Sequence, residues 1–345
     1  MPAKTSASKR STLTDVAVLA GVDVSTASRV LCGDKNQRAS EETRKRIEAA
    51  AKKLAYQPNL QARSLRTART YTLGIAVPQL DNPVYADIIL GAERGARDLG
   101  YSLLIAHIEQ PGDNEGAYER LARINRVDGL LVTTLDENSV MLRAVKRAKV
   151  PFMLLNRKVQ GVRNCIYFDS RTAARMAVDH LIGLGHRRIA HLSGQVNPST
   201  GIGRYAGYCD ALAAAGIALE SDLIRVSGYT MAGGAQAMLA ILNRPGPRPT
   251  AVFALTLSAA AGAMKVLHAE GIRIPQDMSL ITVHDGPIAE VMFPPMSTVT
   301  MPVEQMGFEG AQALIALIDG DIPRVDRQLA PMGLMLRQST APPSR

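Results

Sequence analysis

The sequence has no apolar run long enough to cross a membrane. Its best candidate, Ala251 to Met264, spans 14 residues and is broken by Thr256 and Ser258, whereas a spanning helix needs about 18 to 20. Cysteine is scarce. Cys32, Cys165 and Cys209 are odd in number, far apart and without C-x-x-C spacing, which argues against both a disulfide framework and a zinc site. The apolar stretch from Val16 to Val22, behind Lys4, Lys9 and Arg10, stops at Asp23; it is too short for a secretory signal, and a cytoplasmic setting is expected. G-x-S-x-G, H-E-x-x-H and G-x-x-x-x-G-K-[ST] are all missing, so no nucleophile elbow, zincin or P-loop is indicated. Gly201-Ile-Gly203-Arg-Tyr-Ala206 fits G-x-G-x-x-A, but Gly201 lies nine residues beyond a strand ending near Leu192, with Pro198 between. A dinucleotide fingerprint needs its glycines in the strand-to-helix turn itself. No catalytic residue, metal or cofactor is therefore assigned, and the chain is expected not to be an enzyme.

What is there is an ordinary globular composition with an uneven charge. The 345 residues are 46% apolar and 21% charged with a mean hydropathy of +0.01, enough for two or three domains. Of the net charge of +9, residues 1–72 hold 14 Lys+Arg against 6 Asp+Glu, or +8, and the remainder holds +1. A basic segment on a neutral body points to a polyanion as partner of that segment, and nucleic acid is the commonest.

The basic segment has the periodicity of folded helices rather than of a tail. Thr12 can cap a helix with Asp15 in its first turn and Val16, Leu19 and Ala20 on one face. Gly21 supplies the left-handed turn. Asp23 caps a second helix with Ala27, Val30 and Leu31 inside and Ser25, Ser28 and Arg29 outside; Ser40 caps a third with Ile47, Ala51 and Leu54 as its stripe. Two short helices around a tight glycine turn, braced by a third, make a helix-turn-helix unit whose second helix is expected in the major groove. Arg29 suits a guanine edge or a phosphate; Ser25, Thr26 and Ser28 suit base edges or backbone.

In order and spacing, Thr12-Leu-Thr-Asp-Val-Ala17, Ala20-Gly-Val22, Ser25-Thr-Ala-Ser-Arg-Val-Leu31, Arg44 to Ile47 and Tyr56-Gln-Pro-Asn59 resemble the LacI family of bacterial transcriptional regulators. The resemblance implies DNA contacts at Thr14, Val24, Ser25, Thr26, Ser28 and Arg29. It also implies a hinge helix around Asn59, Ala62, Arg63 and Leu65 that pairs with its dimer mate in the minor groove. There Leu65 would wedge into a central base step, an apolar intrusion that unstacks and bends the duplex. A segment of about two turns bounded by Pro58 is not a stable helix alone and would order on DNA.

After Tyr71 short apolar runs alternate with longer helical stretches. The strand candidates are Leu73–Val77, Ser102–Ile108, Gly129–Thr133, Phe152–Leu155, Ile189–Leu192, Ala251–Leu255, Leu280–Val283 and Thr298–Met301; helices include Tyr85–Leu99, Thr172–Leu184, Arg204–Ala215, Met231–Leu242 and Val303–Ile318. This is the α/β signature of parallel sheets flanked by helices, in two lobes at this length, with a ligand cleft at the carboxyl ends of strands. The domains are read as 1–57 (helix-turn-helix), 58–71 (hinge helix and linker) and 72–345 (a two-lobed body for effector binding and dimerisation, similar to periplasmic sugar-binding proteins by the family resemblance).

The resemblance places Tyr85 and Tyr229 as aromatic walls and Thr200 and Arg204 at effector-contacting positions. Arg204 reads as an anchor for a carboxylate or hydroxyl, with a structural salt bridge as the alternative. Two positions depart from the family: its usual Asn-Asp is Thr256-Leu257 here, and its usual Asp-Asp is His284-Asp285. These losses remove sugar-binding groups and make the pocket less negative, so the reading leans to an anionic effector, a sugar acid or aromatic acid; a plain core histidine at 284 is the alternative. His180, His186 and His191 are given structural roles. The expectation is a homodimeric regulator, a repressor in the first instance, on near-palindromic double-stranded operator DNA, with no membrane association. A periplasmic-type solute-binding protein shares the body but needs no basic helical head. The C-terminal residues lack apolar heptads, so no coiled-coil tetramer is expected.

Overall fold

The computed structural model describes residues 11–31, 39–56, 69–80, 82–108, 127–133, 150–194, 199–321 and 324–344. It divides into two compact units, Met1–Thr70 and Tyr71–Arg345. The hinge positions Asn59, Ala62, Arg63 and Leu65 lie outside the described residues, as does Cys32.

The first unit is built on three helices, α1 (Leu13–Ala20), α2 (Val24–Leu31) and α3 (Glu41–Lys53). Thr12 and Asp15 form a reciprocal capping box at the start of α1, and Gly21 ends it at φ 65°, the left-handed geometry that glycine adopts without strain. Asp23 Oδ1 accepts from the Ser25 amide at 2.7 Å and so starts α2. Ser40 caps α3 through the Thr43 amide. Val16, Ala17, Ala20, Ala27, Val30, Ile47, Ala50 and Ala51 form the core. Leu19, placed by periodicity on the inner face of α1, is instead exposed. Val16, Ala17 and Ala20 define the buried direction, and at about 100° per residue Leu19 points roughly 100° away from its centre.

The second unit holds two six-stranded sheets. The first runs in the order β11-β5-β4-β3-β1-β2 and contains β1 (Thr72–Val77), β2 (Ser102–His107), β3 (Gly129–Val132), β4 (Phe152–Leu155), β5 (Cys165–Phe168) and β11 (Asp326–Leu329). The second runs β12-β10-β9-β8-β6-β7, from β6 (Ile189–Ser193), β7 (Ile224–Val226), β8 (Ala251–Ala254), β9 (Ser279–Val283), β10 (Ser297–Thr300) and β12 (Gly333–Met335). Every pairing is parallel except β10 with β12. Sheet membership makes the chain pass between lobes after β5, after β10 and after β11. Crossings of this kind allow two lobes to close about a shared hinge.

Among the described residues the helices of this unit are α4 (Pro83–Asp98), α5 (Ser170–Gly183), α6 (Ser199–Ala214), α7 (Met231–Leu242), α8 (Leu257–Ala269), α9 (Pro287–Val291) and α10 (Val303–Asp319). Central strands are buried along their length, as in β3 and β9, because helices cover both faces of a parallel sheet. Four strands and two helices go beyond the sequence reading. The strands β5, β7, β11 and β12 have three or four residues each, too few to show a period. α8 follows β8 in one nearly continuous apolar run, and α9 has only five residues. No helix among the described residues is long and apolar enough to cross a membrane.

Candidate functional site

Two regions carry the residues singled out from sequence, one in each unit. In the first, Thr14, Val24, Ser25 and Arg29 are exposed and Thr26 and Ser28 half-buried, while the opposite face of α2 packs through Ala27 and Val30. The Ser25 hydrogen bond holds the exposed Asp23 carboxyl below its usual value. The outer face of α2 therefore presents short hydroxyls and one guanidinium beside the first turn, a set able to meet base edges or phosphates.

In the second unit the cleft is lined by Asn82, Val84, Tyr85, Asn156 and Arg157 from the first lobe and by Thr200, Arg204, Tyr229, Thr256 and His284 from the second. All six cleft residues chosen from sequence are brought together, with four companions. Four lie within two residues of a strand end: Asn156 and Arg157 after β4, Thr256 after β8, His284 after β9. These are the carboxyl ends, where parallel sheets open to ligands. Asn156 and Arg157 were missed from sequence, although two polar residues just past a buried strand are a readable signal of this geometry.

Local structure fixes each side chain. Asn82 caps α4 through the Val84 amide. Thr256 caps α8, its hydroxyl accepting from the Ala259 amide at 3.2 Å. Asn156 and His284 have φ of 61° and 76°, a left-handed backbone uncommon outside glycine but one in which Asn and His are enriched, and such positions cluster at functional sites.

The cleft carries two guanidinium groups, and its base is buried. Arg204 is 2% exposed; it donates to the Leu255 carbonyl and, at 2.8 Å, to His284 Nε2. Arg157 donates to the Thr133 carbonyl at 3.3 Å and to Thr200 Oγ1 at 3.4 Å, and lies 5.9 Å from the Tyr229 ring centre. Thr200 Oγ1 is also 3.3 Å from the Tyr229 hydroxyl. No carboxylate is among the described lining residues, and the groups acting on the charge of Arg204 are Tyr229, Arg157 and Tyr85. The salt-bridge alternative for Arg204 thus finds no partner among the described residues. Burial lowers its pKa to about 10, and burial with the neighbouring Arg204 drives His284 well below the usual imidazole value. Burial raises the Tyr85 hydroxyl, opposed by Arg157. His284 contacts Phe168 edge-on at 5.5 Å, so it is both a cleft residue and a packed one.

The other histidines are structural. His186 bridges Thr250 Oγ1 at 2.9 Å and the Ala341 carbonyl at 2.9 Å, and His180 meets Thr340 Oγ1 at 3.1 Å. His191 stacks on Phe253 and Tyr208, with centroids 4.9 and 5.0 Å away.

A three-helix head presenting a polar recognition face, and a separate two-lobed body with a ligand cleft between strand ends, define a ligand-responsive DNA-binding regulator. Residues 12–59 match the family of bacterial regulatory proteins of the lacI type, and residues 70–330 match the periplasmic binding proteins and sugar binding domain of the LacI family. The chain belongs to the LacI family of transcriptional regulators. The regulator GalR of Escherichia coli K12 is 36% identical over 338 residues, with 96% of each chain covered. CelR of Thermobifida fusca is 33% identical over 342 residues, covering 96% of this chain and 98% of CelR. The crystal structure of the lac repressor dimer bound to operator and an anti-inducer superposes with a TM-score of 0.81 at 29% identity, covering 96% of this chain and all of that one.

Proposed function

We propose that the chain acts as a cytoplasmic homodimeric repressor on a near-palindromic operator, released or recruited by a small anionic effector held in the cleft. In this reading 1–57 is the DNA-reading head, 58–71 a hinge with Asn59, Ala62, Arg63 and Leu65 at the minor groove, and 72–345 the sensing body. Thr14, Val24, Ser25, Thr26, Ser28 and Arg29 are the major-groove contacts. Tyr85, Thr200, Arg204, Tyr229, Thr256 and His284, with Arg157, hold the effector. The role is one of binding rather than catalysis.

The observation that carries the effector reading is the pair of buried guanidinium groups, Arg157 and Arg204, in a cleft whose described lining has no carboxylate. A buried cation without a partner is costly, and an anionic ligand supplies the missing charge. Binding would favour the closed arrangement of the lobes by as much as the ligand prefers it, and that preference is what shifts DNA affinity. A second reading, a neutral sugar, is favoured by the cellobiose complex of CelR and by a ribose-bound family member from Enterococcus faecium.

The test is selection of bound fragments from a random-sequence DNA library by the full chain, followed by electrophoretic titration. A near-palindromic consensus is expected, and Arg29→Ala should weaken it by about tenfold or more, the scale of one lost base or phosphate contact. Recovery of no consensus from wild-type protein would refute the operator reading.

A further inference from the structure

Three polar atoms of cleft side chains are buried without a hydrogen-bond partner: His284 Nδ1, Arg204 Nε and Asn156 Oδ1. Each belongs to a residue more than nine-tenths buried. A guanidinium can only donate, so the 2.8 Å contact from Arg204 to His284 Nε2 makes that nitrogen the acceptor. The imidazole proton then sits on Nδ1. The second lobe thus offers two unanswered donors, one of them on a cation, and the first lobe one unanswered acceptor. Buried groups of this kind mark something missing from the site.

We infer that the effector is a polyhydroxy carboxylate, of the chemical class of the sugar acids. Its carboxylate answers Arg204 Nε, one of its hydroxyls accepts from His284 Nδ1, and another donates to Asn156 Oδ1. The inference rests on the reading of this cleft as the effector site and deepens it. The rest of the wall agrees. The hydroxyls of Tyr85, Thr200, Tyr229 and Thr256 can each donate or accept, as ligand hydroxyls can, and Val84 is the one aliphatic side chain among the described lining residues. An aromatic acid without hydroxyls could stack on the Tyr85 and Tyr229 rings but would leave Asn156 unanswered. A neutral sugar would satisfy Asn156 but leave the two guanidinium charges without a counter-charge.

The test is calorimetric titration of the full chain with D-gluconate, D-galactonate and D-glucarate, against D-glucose, D-galactose and benzoate. At least one sugar acid is expected to bind about tenfold or more tighter than the neutral sugar of the same skeleton and than benzoate, a difference of one charged hydrogen bond or more. Arg204→Gln should remove that preference, and Asn156→Leu should weaken the sugar acid while leaving benzoate unchanged. Binding of a neutral sugar or benzoate as tightly as every acid, or of no acid at all, overturns the inference. If such a non-acidic ligand also changes operator affinity, the regulator reading stands while the acid class falls. If Arg204→Gln fails to fold, the wild-type comparison of acid with neutral sugar decides alone.

Discussion

Arg204 and His284 are 80 positions apart in the chain and share a 2.8 Å hydrogen bond. The sequence marks each one singly, Arg204 by its match to an effector-contacting position of the family and His284 by a departure from the family pattern, but their pairing depends on where α6 meets the end of β9 in space. The left-handed backbone at 284 is not legible beforehand either, because histidine, though enriched among the non-glycine residues that adopt it, does so at only a small minority of positions. Buried imidazoles also give the molecule an acid limit. Burial lowers the pKa of His180, His186, His191 and His284 below the usual value of 6.5, and takes His191 to about 4. The unfolded chain binds these protons first, so stability is complete above about pH 6.5 and falls as the pH drops through the window towards 4. For His191 alone the window corresponds to about 3 kcal/mol. His191→Phe keeps a ring against Phe253 and Tyr208 but cannot take up the proton. Its melting temperature should fall less steeply between pH 6.5 and 4 than that of the wild type, as thermal denaturation across that range can check; an unchanged slope would mean His191 does not titrate there.

At the scale of elements, strands and helices with one dominant period were legible and short edge pieces were not. Met231–Leu242 is a helix with the bounds read from the sequence, and Thr230 caps it in the structure, whereas β7 and β12 are strands because a neighbour offers a ladder, a non-local fact. Helix pairing is governed by backbone proximity. α4 and α10 approach so closely that a Cβ at Gly91 would fall on the Glu304 carbonyl oxygen, so no side chain fits without separating the helices. Gly91→Leu is therefore expected to destabilise by about 2 kcal/mol or more, by overpacking against backbone that cannot rotate aside. Gly183, in the last turn of α5, has open space where a Cβ would go; Gly183→Ala should stabilise by about 0.5 kcal/mol through the unfolded chain's lost freedom. Urea denaturation of both variants checks the pair, and equal midpoints would refute the close-approach argument.

At the scale of the whole molecule, the uneven charge bears on how the head works. With +8 of the +9 charge in residues 1–72, the head supplies the salt-dependent attraction to phosphate, but a single small module gives limited area for sequence reading. On the proposed reading, specific affinity comes from two heads held together by the body. The body has surplus apolar surface to do so: Val291 and Phe293, around the end of α9, are 81% and 82% exposed, beside the exposed Ile288 and close to Leu336, which adjoins an Arg337 bonded to Asp285 and Glu290. Large exposed apolar side chains grouped in this way mark a contact surface. Phe293→Asp places a charge there without touching the cleft or α2. Analytical ultracentrifugation is expected to show a dimer for the wild type and a monomer for the variant at the same concentration. Operator affinity should drop by about a hundredfold, the lower end of what linkage of two weak sites contributes, while effector binding by calorimetry stays within about twofold. A variant that is monomeric yet holds operator DNA as tightly as the wild type would show that one head suffices, and the charge argument would then describe attraction to phosphate alone.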